Sequence, residues 1–163
     1  MIVVSDSSPL LNLAIIDQLD LLQMLYGTVV IPGAVHQELV IKGADMPGAD
    51  SIQNASWIVV QEVKDRVLVA ALCTQLDMGE AEAIVLAIES AADLLLLDER
   101  KARHVAAHLD LDFTGLLGVL VEAKGKGHVT LLKPILEALT KQARFWISSE
   151  LYNHVLEQAG EIP

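Results

Sequence analysis

Four acidic residues lie either where the chain passes from a predicted strand into a helix or within a predicted helix. Asp6 and Asp98 each end a short apolar run, whereas Glu38 and Glu80 belong to predicted helices. Four carboxylates gathered in one place would repel one another and drive at least one of them to bind a proton. A divalent ion resolves that conflict, and oxygen ligands suit Mg²⁺ or Mn²⁺. These ions hold a phosphate and generate or position a hydroxide for in-line attack, so we expect Asp6, Glu38, Glu80 and Asp98 to be metal ligands and catalytic residues.

Three of these residues also have a purely structural explanation. Asp6 could cap the helix that begins at Ser8-Pro9, and Asp98 could begin the next helix in the same way. Glu38, taken alone, has the character of a solvated helix charge.

The fourth residue, Glu80, has a structural explanation and a competitor. Asp77 and Glu80 have the spacing of a capping box, in which the glutamate reaches back to the backbone of the capping residue. Glu82 is also acidic, but residues two positions apart on a helix point in different directions. Only one of Glu80 and Glu82 is therefore expected to face the site.

Other chemistries have weaker support. The sequence contains neither a G-x-x-x-x-G-K-[ST] phosphate loop nor a G-x-G-x-x-G motif, and its five histidines include no H-E-x-x-H pair. His104 and His108 are four apart on a predicted helix, but a solvated basic face explains them better than a zinc site. A receiver-like phosphate acceptor would place paired acids after the first strand, and Asp6-Ser7-Ser8 provides no such pair.

The elements that must position the acids alternate between strands and helices. Apolar and β-branched runs predict five strands, at residues 2–4, 28–31, 57–63, 93–98 and 112–114. Helical patterns between them indicate an α/β fold with a parallel sheet and right-handed crossovers. In such a sheet ligands bind at the carboxyl ends of the strands, which is where Asp6 and Asp98 fall.

Two stretches depart from this alternation. Residues 42–54 are rich in glycine, proline and polar residues, which predicts a surface loop. From residue 129 onward the pattern is purely helical and predicts a helical pair, with Phe145 and Trp146 packed between the two helices. We therefore expect a catalytic domain at residues 1–128 and a C-terminal helical extension, packed on that domain, at residues 129–163.

Length and composition indicate the number of domains and the environment of the protein. The length of 163 residues indicates one domain with a core of its own. Its single cysteine excludes a disulfide framework and a cysteine zinc site, which favours a cytoplasmic setting. No apolar run reaches the ~20 residues that a membrane span needs, and the N-terminus lacks the basic region of a signal peptide.

Net charge and hydrophobicity indicate which partners the protein is expected to bind. The formal charge of −11 argues against broad binding to nucleic acid or anionic membranes. Any groove that binds a phosphate backbone must then concentrate positive charge, and the candidate phosphate contacts are Arg100, Lys101, Arg103, Lys124 and Lys126. Solvated helix ends explain these five residues equally well. With 53% hydrophobic residues, the chain has an apolar surplus that predicts a homodimer or a tightly bound partner.

The same residues, taken together, resemble a known family. The motifs that carry the resemblance to a PIN domain are Val4 to Leu10 with Asn12, then Pro32 to Glu38, Gly79 to Ala87 and Leu95 to Glu99. Those that resemble one branch of it, the DUF3368 group of VapC-like proteins, are Arg103, Thr114 to Leu120, Ala123-Lys124 and Leu151 to Glu161. The resemblance covers nearly the whole chain.

The resemblance implies a fold and an activity. The fold would be three-layered, with a five-stranded parallel sheet flanked by helices, and the activity that of a Mg²⁺- or Mn²⁺-dependent ribonuclease cleaving single strands. Many relatives are homodimeric toxins of toxin–antitoxin pairs, each inhibited by a small antitoxin protein. A catalytically inactive PIN module that acts through protein or nucleic-acid binding is the alternative.

The resemblance also implies which residues form the site. Asp6, Glu38, Glu80 and Asp98 fall on the acidic positions of the family, and the spacing of Glu80 to Asp98 favours it over Glu82. Ser7 and Asn12 fall where relatives have polar residues that orient ligands or water. One departure is that VapC-like toxins often have a further acid soon after the fourth, whereas here Glu99 is followed by Arg100-Lys101-Ala102-Arg103.

Overall fold

Five short parallel strands form one sheet at the centre of the computed structural model, which describes residues 1–162. The strands are β1 (Val3–Ser5), β2 (Val29–Ile31), β3 (Ile58–Val60), β4 (Leu94–Leu96) and β5 (Phe113–Thr114). Their order across the sheet is β3-β2-β1-β4-β5, so β1 lies in the middle and Val4 is opposite both Val30 and Leu95. The prediction of an α/β fold with a five-stranded parallel sheet is confirmed.

Helices connect the strands and cover both faces of the sheet. They are α1 (Ser7–Ile15), α2 (Asp20–Tyr26), α3 (Gly33–His36) with the π-helical turn Gln37–Ile41, α4 (Ala49–Gln53), α5 (Arg66–Leu72), α6 (Met78–Glu89), α7 (Arg100–His108), α8 (Leu116–Gly125), α9 (Lys133–Lys141) and α10 (Ser149–Gln158). None of the helices within residues 1–162 has both the length and the apolar character needed to span a membrane.

The two faces of the sheet support separate cores because successive strand residues point to opposite sides. Val3 and Leu96 belong to the core that also holds residues of α1, α2, α8, α9 and α10. Val4 and Leu95 belong to the other core, with α5, α6 and α7. Helix α6 is buried on nearly all sides, as its continuous apolar run predicts. The three layers therefore follow from the period-two pattern of β1 and β4.

The C-terminal helices share the first of these cores. Leu136 of α9 and Val155 of α10 lie in the same apolar cluster as α1 and α8. The Glu161 carboxylate, whose side chain is only 6% exposed, accepts hydrogen bonds from the backbone N–H groups of Leu132 (2.7 Å) and Lys133 (3.1 Å) and from Lys124 Nζ (3.0 Å). This carboxylate joins the end of the chain to α8 and to the start of α9.

The prediction of a loop over residues 42–54 is wrong in its second half, because α4 forms there. Ala49 and Ile52 are buried, and α4 packs beside α1. The helix has only five residues and follows Pro47 and Gly48, so its sequence carries too little periodicity to predict it. Gly48 is required here, since its φ is +87° and a Cβ atom would lie 2.8 Å from the Ala14 Cβ.

The prediction that both aromatic residues between α9 and α10 are packed is correct for Phe145 and wrong for Trp146. Phe145 is half-buried against the first core, whereas Trp146 is 82% exposed. The segment between the two helices has no regular structure, and adjacent residues on it point in different directions. Sequence hydrophobicity alone cannot distinguish these two directions.

Candidate active site

The sheet topology brings Asp6 and Asp98 to adjacent strand ends. The chain runs outward from β1 to β2 and β3, and then returns to β4 on the other side of β1. Such a reversal of strand order leaves a crevice at the carboxyl ends of the two strands that flank it, where ligands bind in open α/β sheets. Asp6 follows β1, Asp98 follows β4, and the backbone N–H of Asp6 donates to Leu96 O at 3.0 Å.

Asp6 does not use its carboxylate to cap α1. It occupies the N-cap position with an extended backbone but makes no side-chain capping hydrogen bond. The residue is only 6% exposed. Burial is the main reason that the pKa of Asp6 rises to about 7, and a backbone hydrogen bond from Ser7 opposes that rise. The carboxylates of Asp77, Glu80 and Glu38 also raise this pKa.

Glu38 reaches the same place from the π-helical turn after α3. The Ser7 hydroxyl donates a short hydrogen bond to Glu38 Oε2. A Cβ atom on Gly79 would lie 3.4 Å from Asp6 Oδ1 and 3.4 Å from Glu38 Oε2, so these two oxygens are at most twice that distance apart. Gly79, in the first turn of α6, therefore leaves room for two carboxylates from separate elements.

Glu80 caps the start of α6 and also faces the site. Glu80 Oε2 accepts from the backbone N–H of Asp77 (3.1 Å), and Asp77 Oδ1 accepts from the backbone N–H of Glu80 (2.8 Å), which completes the capping box that the spacing predicts. Burial raises the pKa of Glu80, and nearby acids including Asp77 add to that rise. Glu80 therefore completes the capping box and also lies close to the other acidic residues.

Glu82 points to another part of the protein. Its carboxylate accepts from the backbone N–H of Ala34 (3.0 Å) and from Arg66 (2.7 Å). The expectation that only one of Glu80 and Glu82 faces the site agrees with this placement.

Asp98 accepts hydrogen bonds from two groups on other elements. Its Oδ1 accepts from the backbone N–H of Leu116 at 2.7 Å, and its Oδ2 accepts from the Ser8 hydroxyl at 3.4 Å. Asn12 Nδ2 in turn donates to Ser8 Oγ at 3.1 Å. Burial raises the pKa of Asp98, although the hydrogen bonds from Leu116 and Ser8 and the charge of Arg103 act against that rise.

These side chains line one cavity of about 460 Å³. Six carboxylates face it, from Asp6, Glu38, Asp77, Glu80, Asp98 and Glu99. Ser7, Ser8 and Asn12 also line it, and no lysine or arginine does. We refer to it as the acidic cavity. Ser7 and Asn12, predicted as orienting residues, bond to Glu38 directly and to Asp98 through Ser8.

Sequence reasoning missed three contributors to the acidic cavity. Asp77 was identifiable only as a helix cap, and Glu99 only as a neighbour of Asp98. Ser8 has the ordinary character of a residue before a helix-starting proline. For none of them does local sequence indicate which distant carboxylate it will meet.

The donor chemistry of the acidic cavity fits a hard divalent cation. All the ionisable donors are carboxylates, and their mutual effect on Asp6 favours neutralisation by a proton or a metal ion. Within residues 1–162, no three His, Cys, Asp or Glu side chains are close enough to hold an ion without moving. Side-chain rotation would therefore accompany ligation.

The five predicted phosphate contacts divide into two groups. Arg100, Lys101 and Arg103 line a wide groove of about 1140 Å³, which shares Asp98 and Glu99 with the acidic cavity. We refer to it as the α7 groove. Lys124 is paired with Glu161 and Lys126 with Glu122, and neither lines the acidic cavity or the α7 groove.

Comparison with known proteins adds the family. No curated protein matches the chain. A family model described as DUF3368, a PIN domain, matches residues 2–161. This match includes the strand ends that carry Asp6 and Asp98 and extends through α10. The chain therefore belongs to the PIN domain family, in its DUF3368 group.

Proposed function

We propose that this protein is a Mg²⁺- or Mn²⁺-dependent endoribonuclease that hydrolyses phosphodiester bonds of single-stranded RNA. The observation that carries the proposal is the acidic cavity, where six carboxylates meet at the reversal point of the sheet and one of them, Asp6, is almost fully buried. PIN domains are typically nucleases, which supports the same conclusion.

In this proposal Asp6, Glu38, Glu80 and Asp98 hold the metal. When bound, a divalent cation would supply positive charge for a phosphodiester and would lower the pKa of water in the site. Ser7 orients Glu38, and the Asn12–Ser8 pair orients Asp98 together with the N-terminus of α8. These partners orient two of the four carboxylates, which is the part of the chemistry that the chain itself supplies.

The remaining parts of the proposal concern partners. Arg100, Lys101 and Arg103 bind RNA phosphates beside the acidic cavity. By its resemblance to VapC-like proteins, the protein is the cytoplasmic toxin of a toxin–antitoxin pair and is inhibited by a small antitoxin. The apolar surplus of the chain, 53% hydrophobic residues, supports a homodimer.

A second candidate function is a catalytically inactive PIN module that binds RNA or protein. It is favoured by the engagement of Glu80 in the capping box and by the separation of the carboxylates among the described residues. On this alternative the protein binds its partner without metal-dependent cleavage, and Asp6→Asn changes nothing in that binding.

Cleavage of a panel of single-stranded and structured RNAs with Mg²⁺, with Mn²⁺ and with EDTA tests the proposal. Asp6→Asn and Asp98→Asn should each reduce cleavage by at least a hundredfold. Asp20→Asn is the matched control because Asp20 is exposed on α2. Equal cleavage by all four proteins would place the active site elsewhere, and no cleavage by folded wild type would favour the binding module.

A further inference from the structure

We propose that Trp146 is a stacking platform for a nucleobase of single-stranded RNA bound along the α7 groove. The inference rests on the proposed function for its substrate class, and it adds a residue and a mode of binding. Trp146 lies between α9 and α10, and its 82% exposure is the largest of any tryptophan, tyrosine or phenylalanine in the described residues.

The position of Trp146 connects it to the candidate active site. It lines the α7 groove together with Arg100, Lys101 and Arg103. The same groove contains Asp98 and Glu99, which also line the acidic cavity. A strand that enters the acidic cavity therefore has a continuous path past the basic side chains and the indole.

Charge complementarity identifies the occupant as polyanionic. The chain has only 11 lysines and arginines against 22 acidic residues, yet three of the basic residues fall within one turn of α7. None of these three takes part in a salt bridge among residues 1–162. Positive charge that makes no salt bridge, beside an otherwise acidic site, is suited to a phosphate backbone.

The aromatic ring identifies the occupant further as single-stranded. Grooves that bind single strands combine positive charge along the backbone path with aromatic rings on which bases stack. Bases within a duplex are already stacked on one another and offer no free face to an indole. Trp146 also borders a second cavity of about 320 Å³, lined by His154 and Gln158, where polar groups can meet the edges of a base.

Binding measured in EDTA tests the inference without cleavage. A fluorescein-labelled single-stranded RNA is titrated with wild type, Trp146→Ala, Trp146→Phe and the matched control Trp57→Phe at low salt. Trp57 is half-buried beside β3 and contacts the first core. We expect Trp146→Ala to weaken binding about tenfold, the loss typical of one stacked base. Trp146→Phe should retain most of the affinity, and Trp57→Phe should match wild type.

Fluorescence gives a second readout that a merely structural role would not affect. The sequence has two tryptophans, so the Trp57→Phe protein emits from Trp146 alone. Single-stranded RNA should quench this emission, and duplex RNA of the same sequence should quench it much less.

Several results would overturn the inference: no binding of RNA by wild type, equal affinity of wild type and Trp146→Ala, or equal quenching by duplex and single strand. Binding of poly-glutamate in place of RNA would assign the groove to an acidic protein, and conversion of a wild-type dimer to a monomer by Trp146→Ala would assign it to a second copy.

Failure of the nuclease proposal can be distinguished from failure of the stacking proposal. Trp146-dependent binding without cleavage would leave the stacking role intact, whereas cleavage with binding unaffected by Trp146→Ala would remove only the stacking role.

Discussion

Asp6 combines near-complete burial with three neighbouring carboxylates, and both conditions favour its protonated form when no metal is bound. An ionised Asp6 in the folded protein must then be compensated by a cation. The Asp6 carboxylate makes no side-chain capping hydrogen bond to α1, and its one backbone hydrogen bond, from Ser7, does not offset the effect of burial on its pKa. This combination supports the proposed role of Asp6 as a metal ligand.

Asp6 should make the metal-free protein less stable as pH rises. The pKa of Asp6 is about 7 in the folded protein, against 3.8 as its ordinary value. Between these values only the folded state holds the proton, so the free energy of unfolding falls as pH rises from about 4 to 7 and stays reduced above 7. Asp6→Asn should therefore exceed wild type at pH 8 in EDTA, by about 1–4 kcal/mol, and differ little at pH 4.

Urea unfolding at pH 4 and pH 8 measures this difference, with Asp20→Asn as the control for loss of an exposed charge. A variant at Asp6 that is less stable than wild type at pH 8 would show that the carboxylate has a structural role.

Single residues also show how much of the candidate active site can be predicted from sequence. Asp6 and Asp98 were predicted because each directly follows an apolar strand, and strand ends are a local property. The pairing of Ser7 with Glu38 joins residues 31 positions apart and depends on a π-helical turn that no local pattern predicts. Sequence therefore indicates which residues lie near the site better than it indicates which of them pair with one another.

Helix α8 is the element that ties the candidate active site to the scaffold. Its N-terminal N–H at Leu116 bonds to Asp98, and the preceding Gly115 leaves the space that this carboxylate occupies. The backbone of Gly115 has φ −99°, a conformation open to any residue, so the requirement for glycine here is one of space.

Gly115→Ala should displace Asp98, because the new Cβ would lie 2.9 Å from Asp98 Oδ1. We expect a loss of about 1–3 kcal/mol in stability and a large loss of cleavage. Gly125→Ala on the same helix is the matched control, since a Cβ there meets nothing within 4 Å. It should be neutral or stabilise by about 0.5–1 kcal/mol. Thermal unfolding and cleavage assays of both variants measure these effects, and equal behaviour of the pair would contradict the role of Gly115.

The C-terminal helices depend on Glu161 for their junction with α8. Hydrogen bonds from the backbone of Leu132 and Lys133 and from Lys124 together hold the pKa of Glu161 below its usual value, although burial acts in the opposite direction. Glu161→Ala should reduce stability by about 2–3 kcal/mol at pH 7, because it leaves these donors without their acceptor. Glu157→Ala, exposed on α10, is the control and should have little effect. Equal unfolding midpoints for the two variants would rule out this junction.

Elements differ in how well their sequences predict them. The long helix α6 and the strands β1 and β4 have continuous apolar patterns, and all three form as predicted. Helix α4 and the segment that carries Trp146 have no such pattern, and their placement is decided by contacts with distant parts of the chain. The errors fall in these two short segments.

At the scale of the whole molecule, an acidic cavity and a groove with three basic side chains lie next to each other. The acidic cavity and the basic α7 groove share Asp98 and Glu99, although the protein as a whole has a charge of −11. An acidic protein that binds RNA through a few cations should do so only at low or moderate salt.

The salt dependence of RNA binding should report the three cations of α7. Three phosphate contacts to a single strand give a slope of about −2 in log affinity against log salt, or roughly a 20-fold loss between 50 and 200 mM salt. Arg100→Ala should reduce the magnitude of that slope by about 0.7, whereas Lys126→Ala, which is paired with Glu122, should leave it unchanged. A slope that responds to Lys126 rather than Arg100 would place the RNA on another face.

The most direct test of the central claim is the chemistry of the RNA ends that the purified protein produces. Hydrolysis at the acidic cavity should require Mg²⁺ or Mn²⁺, stop in EDTA, and leave 5′-phosphate and 3′-hydroxyl ends. Cleavage that continues in EDTA and leaves 2′,3′-cyclic phosphates would contradict the account, because such products come from attack by the RNA's own 2′-hydroxyl and need no metal.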